Sequence, residues 1–213
     1  MAAGTFVTGA LTADDPVISE LKAGTKYYEC TVAGELSFFS STTDRWDISV
    51  YRPSSPGGIM ALGFMALDNL TYIPSYSGTA YVLRPNGASG LDFFKYVSGS
   101  VATELFDTAA SYQPEGSWYS YRIQRQTSGV INILTKGGSF GDEYVKIVIV
   151  SGSNPILDTS ITRSVYINCL FWVGDRFMWT PDERLTGIGG TQYGVNPLIE
   201  EVPKAAGAVS LTV

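Results

Sequence analysis

The chain has 213 residues, 45% of them hydrophobic and 16% charged, with a formal net charge of −6 and no histidine. Without histidine, Ser-His-Asp and Cys-His nucleophilic catalysis and an ordinary catalytic zinc site are excluded. The acidic balance, with Lys and Arg scattered singly, argues against a phosphate-backbone partner. The length and apolar content suit one all-β domain with a sizeable core, and the 13 tyrosines and 10 phenylalanines favour strands.

Residues 1–25 read as an N-terminal arm. Asp14-Asp15-Pro16 marks a turn or helix start, and Val17 to Lys22 is long enough for one helical turn before Ala23-Gly24 stops it. The start of the chain has no basic segment followed by an apolar one, and no apolar run approaches about 18 residues, so neither a secretion signal nor a membrane span is expected. Strand patterns follow at 27–32, 35–39 and 46–52, the last closed by Pro53-Ser-Ser-Pro-Gly-Gly58. Ile59 to Leu67 reads as a central strand, 68–78 as a polar, tyrosine-bearing loop, and Thr79 to Arg84 as another strand.

Leu91 to Val97 is expected to pair with Ser100 to Phe106 across a tight turn at Ser98-Gly99. The clearest hairpin is Gly116 to Lys136, in which two alternating strands meet at Gln126-Thr127-Ser128-Gly129. Trp118 opens its first strand, and the side chains of that strand are expected to alternate into an inter-sheet core. The β-branched run from Tyr144 to Val150 reads as core. Val165 to Val173 and Arg176 to Trp179 are the last strong strands, and residues 181–213 read as an irregular tail with a β-prone end. The sandwich domain is therefore expected over 26–180. Cys30 and Cys169 lie in separate strands without CxxC spacing, which favours buried free thiols over a bridge between strands.

The order of signals is similar to that of the concanavalin A-like, laminin-G-like jelly-roll family, of the kind found in phage virion surface proteins. The resemblance covers residues 45–180. It is carried by Asp47-Ile-Ser-Val-Tyr-Arg52, Ile59-Met-Ala-Leu-Gly-Phe64, Leu91-Asp-Phe-Phe-Lys95, Gly116-Ser-Trp-Tyr-Ser-Tyr-Arg-Ile123 and Phe171-Trp-Val-Gly174. It implies an antiparallel two-sheet jelly-roll sandwich, here with N- and C-terminal extensions. It does not choose among the lectins, glycan hydrolases, adhesion domains and virion proteins that share this fold.

The Glu-x-Asp-x-Glu strand of the related glucan hydrolases is missing. Asp142-Glu143 and Asp182-Glu183 are adjacent pairs whose side chains point to opposite faces of a strand. No enzyme activity, cofactor or metal is expected. Asp68-Asn69 and Asp107 read as turn caps rather than calcium ligands, because hard cations need six or more oxygens. Tyr72 and Tyr76 read either as a sugar platform or, preferentially, as a packing or subunit surface. Tyr112 reads first as a turn residue and second as part of a binding loop.

The low charge and the terminal extensions suit a chain that docks on neighbours. The expectation is a non-enzymatic virion structural protein, a capsid decoration protein on the head surface of a tailed phage. Its partners would then be the major capsid protein or other virion proteins and further copies of itself. The alternative is a carbohydrate-binding, lectin-like module with a glycan ligand. Neither nucleic acid nor membrane is expected as a partner.

Overall fold

Alternation of apolar and polar residues, broken by glycine and proline, produces fourteen strands among the described residues. The computed structural model describes residues 4–13, 23–39, 45–54, 57–58, 60–66, 78–86, 90–97, 103–108, 116–158, 160–161 and 166–179. In chain order the strands are β1 (Thr5–Ala10), β2 (Lys26–Val32), β3 (Gly34–Phe39), β4 (Arg45–Tyr51), β5 (Ala61–Ala66), β6 (Ala80–Asn86) and β7 (Gly90–Tyr96). They continue as β8 (Thr103–Thr108), β9 (Trp118–Arg125), β10 (Ile131–Gly137), β11 (Val145–Lys146), β12 (Ile149–Gly152), β13 (Tyr166–Phe171) and β14 (Arg176–Trp179). The first sheet runs β1-β2-β14-β4-β9-β10-β11 and the second β12-β8-β7-β6-β5-β13-β3. Every strand pairing is antiparallel. The protein is an antiparallel two-sheet jelly-roll sandwich, as its sequence pattern implies.

Period-two alternation sends one set of side chains from each sheet into a shared core. The first sheet contributes Trp46, Ile48, Val50, Tyr121, Ile123 and Ile133, and the second Leu62, Phe64, Leu83, Phe93, Phe106 and Phe171. Phe171 stacks on Phe177 across the sheets, with ring centroids 4.5 Å apart and planes 9° apart. Phe6 of β1 meets both edge-on at 5.8 and 5.7 Å. A second stack, Tyr81–Phe93–Phe106, lines the inner side of β6, β7 and β8 at 5.8 and 5.4 Å. Offset and edge-to-face rings add to the energy of area burial, so these stacks fix which faces of β6–β8 turn outward.

The expected hairpin forms as β9 and β10, with Ile133 opposite Ile123. Its turn closes through Gly129 N–H donating to the Gln126 carbonyl at 2.8 Å, and Gly129 takes φ +88°, a left-handed conformation that glycine adopts freely. Trp118 is fully buried, but on the outer side of the first sheet. It packs there with Leu11, Tyr27 and Met178, while Tyr119, Tyr121 and Ile123 point inward. Alternate side chains of β9 thus enter the core as expected, with Tyr119 leading the inward set and Trp118 the outward one.

The run from Tyr144 to Val150 is not a core strand. It breaks into β11 and β12, leaving Val145 38% and Val148 70% exposed, with Ile147 buried between them. The Asn154 side chain binds both the N–H (3.2 Å) and the carbonyl (3.0 Å) of Ile133 and also the Ile147 carbonyl (3.0 Å), filling places a continuous strand would take. The arm expected over 1–25 contains β1, which pairs with β2 along its length and forms an edge of the first sheet. The expected tail, 181–213, lies outside the described residues. Cys30 and Cys169 are both buried free thiols.

Candidate functional site

The outward side chains of β6, β7 and β8 set charged groups beside aromatic ones. Arg84 stands opposite Asp92, and Asp92 opposite Asp107. In the next row Val82 stands opposite Phe94, and Phe94 opposite Glu104. Arg84 Nη2 donates to Asp92 Oδ2 at 3.3 Å, and its guanidinium carbon lies 3.8 Å from the centroid of the Phe94 ring. Tyr96 lies beside Phe94, centroids 6.3 Å apart. The floor is apolar: Ala61, Ala80, Val82, Tyr96 and Leu170 form a cluster of their own on this side, with Phe94 packed against it.

Asp92 and Asp107 meet because of an irregularity in the β7–β8 ladder. A two-residue turn at Ser98-Gly99 would place Leu105 opposite Asp92. The observed pairing matches Lys95 with Thr103 and shifts again between Phe93 and Phe94, which brings Asp107 into that place. Thr108 Oγ1 accepts the Leu91 N–H at 2.8 Å and fixes the shifted register. The Asp92 carboxyl is raised above the usual carboxylate range, first by burial. The Arg84 guanidinium opposes this, while the neighbouring carboxyls of Asp107 and Glu104 raise it further.

Four other described carboxylates are bound to cations. Asp47 takes both oxygens to Arg122 at 2.9 Å and binds Arg45 at 2.6 Å. Glu29 binds Arg176 at 2.9 Å, and Asp175 binds Arg52 at 3.2 Å in full burial. Asp158 joins Lys95 (2.7 Å), the Ser160 hydroxyl (2.7 Å) and the Tyr81 hydroxyl (3.1 Å). Partial burial disfavours its charge, but the hydrogen bonds from Lys95, Ser160 and Tyr81 prevail and hold its pKa at about 2.

A carboxylate depressed in this way stabilises the fold above its unfolded pKa, and that contribution is lost as pH falls from about 4 toward 2. Asp158→Asn should therefore cost about 1–2 kcal/mol at pH 7, after discounting for its partial exposure, and the difference should vanish near pH 2 in urea melts.

The sequence-chosen tyrosines Tyr72, Tyr76 and Tyr112 lie outside the described residues, as do Asp68 and Asn69. Asp107 is placed, and it faces Asp92 rather than capping a turn. Sequence reading missed Arg84, Asp92 and Phe94 as a group, because their proximity depends on cross-strand register. The available signal was the alternation in Leu91-Asp92-Phe93-Phe94 together with the hairpin. Among the described residues no set of three or more Cys, Asp or Glu is grouped to hold a metal ion.

No protein-family model and no curated protein matches the chain. Solved structures do. A Bacteroides ovatus glycoside hydrolase family 16 protein, solved with a mixed-linkage glucan product, is 10% identical, covers 79% of this chain and 81% of its own, and has a TM-score of 0.43. A scytalido-glutamic peptidase bound to a peptide-based transition-state analogue is 14% identical over 70% of this chain and 74% of its own, TM-score 0.32. A lichenase from a mouse hindgut metagenome is 15% identical over 83% and 80%, TM-score 0.32. These likenesses concern the fold alone.

Proposed function

We propose that the protein is a non-catalytic, lectin-like carbohydrate-recognition domain whose ligand lies on the outer face of β6, β7 and β8. The observation that supports this reading is the set Arg84, Asp92, Phe94 and Asp107 on adjacent rigid strands. Carboxylate and guanidinium groups match the vicinal hydroxyls of a sugar, and the half-buried Phe94 adds apolar surface beside them. A binding role is favoured over a catalytic one because Asp92 of this set is paired with Arg84, and Asp47, Glu29, Asp158 and Asp175 are likewise each tied to a cation. A carboxylate in a fixed ion pair is a poor proton carrier.

An array of neutral and acidic oligosaccharides should give saturable binding. Phe94→Ala and Arg84→Ala should each weaken it about tenfold, equivalent to roughly 1.4 kcal/mol. Polysaccharide turnover abolished by one carboxylate substitution would instead mark an enzyme.

A second reading, a capsid decoration protein on a virion surface, is supported by a different observation. Edge strand β1 has no charged residue, and Val7 and Val32 beside that edge are 50% and 54% exposed. Such an edge suits pairing with another subunit. Absence of glycan binding, together with co-purification with capsids, would select this reading over the first.

A further inference from the structure

We propose that the outer face of the first sheet is a second binding surface, one for an acidic polysaccharide chain. Strand register places Arg45, Arg122, Lys136, Lys146 and Arg176 in the outward rows of that face, against the carboxylates Asp47 and Glu29. Asp142 and Glu143 lie outside these rows, in the turn leading to β11. Five cations against two carboxylates leave the strands of this face positive, in a chain whose formal net charge is −6. The outer face of β6, β7 and β8 has the opposite balance, with Arg84 against Asp92, Glu104 and Asp107.

Three of these cations are held on aromatic rings. Arg176 lies against both Tyr27 and Tyr51, its guanidinium carbon 5.0 and 5.1 Å from the two ring centroids. Arg122 and Lys136 both approach the Tyr144 ring, at 3.8 and 4.3 Å. Cations held in this way lose little side-chain freedom when an anion binds. Arg176 and Arg122 are separated by four residues along β4 and two strand spacings, about 16 Å, so a ligand touching both is a chain rather than a single sugar. Between them lie the neutral hydroxyls of Ser49 and Ser120, hydrogen-bonded to each other at 2.6 Å. Charge so widely spaced matches a uronate chain, whose carboxylates are separated by hydroxylated rings. Duplex DNA carries one negative charge per ~1.7 Å and meets net repulsion from an acidic protein.

The test is fluorescence anisotropy of the full chain with labelled oligomers of galacturonate, mannuronate and hyaluronan, each also as its methyl ester, and with a single-stranded DNA oligomer. At least one acid should bind, about tenfold more tightly than its ester. Arg176→Gln should weaken that binding about tenfold. Lys146→Glu, on the exposed β11, should weaken it as well and carries the test if the first variant fails to fold. Failure of all three acids to bind, equal affinity for acid and ester, tighter binding of the DNA, or an affinity unchanged in the folded variants would overturn the inference.

Discussion

Arg52→Met is expected to lower the unfolding free energy at pH 7 by about 3–5 kcal/mol, because it removes one partner of a buried ion pair. Arg52 and Asp175 are both fully buried. The guanidinium donates from Nε to Asp175 at 3.2 Å, from Nη1 to the Pro85 carbonyl at 3.1 Å, and from Nη2 to the Gly58 carbonyl. Asp175 in turn accepts the Trp172 N–H at 2.8 Å, and its backbone carbonyl accepts the Cys30 N–H at 2.9 Å. One side chain at the end of β4 thus ties together β6 of the second sheet and the turn between β13 and β14 that joins the sheets.

The loss should depend on pH in a defined direction. Burial raises the Asp175 pKa to about 6, despite the opposing Arg52 charge and hydrogen bonds. The folded state therefore binds more protons than the unfolded one between about pH 4 and 6, and stability falls as pH rises through that window. Without Arg52 the carboxyl is pushed higher, so the gap between variant and native protein should widen from pH 4 to pH 7. Urea melts at several pH values measure it. Adding Asp175→Asn removes the stranded charge and should recover at least half the loss at pH 7. A gap that is flat with pH, or no recovery in the double variant, would refute the ion-pair account.

The strand pattern was legible because it rests on local alternation. Trp46, Ile48 and Val50 alternate through β4, and each faces the core as that pattern requires. Where neighbours decide, legibility ended. Trp118 follows Gly116 in a motif that reads as core, but its partner Tyr51 belongs to the outward set of β4, so the indole turns outward too. The Tyr144 to Val150 run has core composition, but Asn154 occupies the Ile133 and Ile147 hydrogen-bonding groups that a strand there would use. The Arg84–Asp92–Asp107 row was hidden for a related reason: which carboxyls meet is set by a ladder shift, and no residue in the hairpin announces that shift.

That shift is tied to a single glycine, and Gly152→Ala is expected to cost about 3 kcal/mol or more. Gly152 pairs with Phe106 at φ +86°, where an L side chain is already strained by about 1–2 kcal/mol. A Cβ there would also stand 2.0 Å from the Leu105 carbonyl oxygen and 2.7 Å from Phe106 Cα, both backbone atoms that no rotamer change can clear. Leu105 is the residue left between the Phe94–Glu104 and Phe93–Phe106 pairs, and its carbonyl accepts the Ser153 N–H at 3.2 Å. The substitution must therefore move β12 away from β8 or undo the shift that brings Asp107 opposite Asp92.

Gly24→Ala supplies the control. Gly24 has nearly the same φ, +88°, but nothing lies within 4 Å of its added Cβ, so that variant should lose the conformational term alone. If thermal melts show equal losses for the two, the packing of β12 on Leu105 does not hold the register. If Gly152→Ala loses far more, the close approach of β12 to the Leu105 carbonyl is what holds that register.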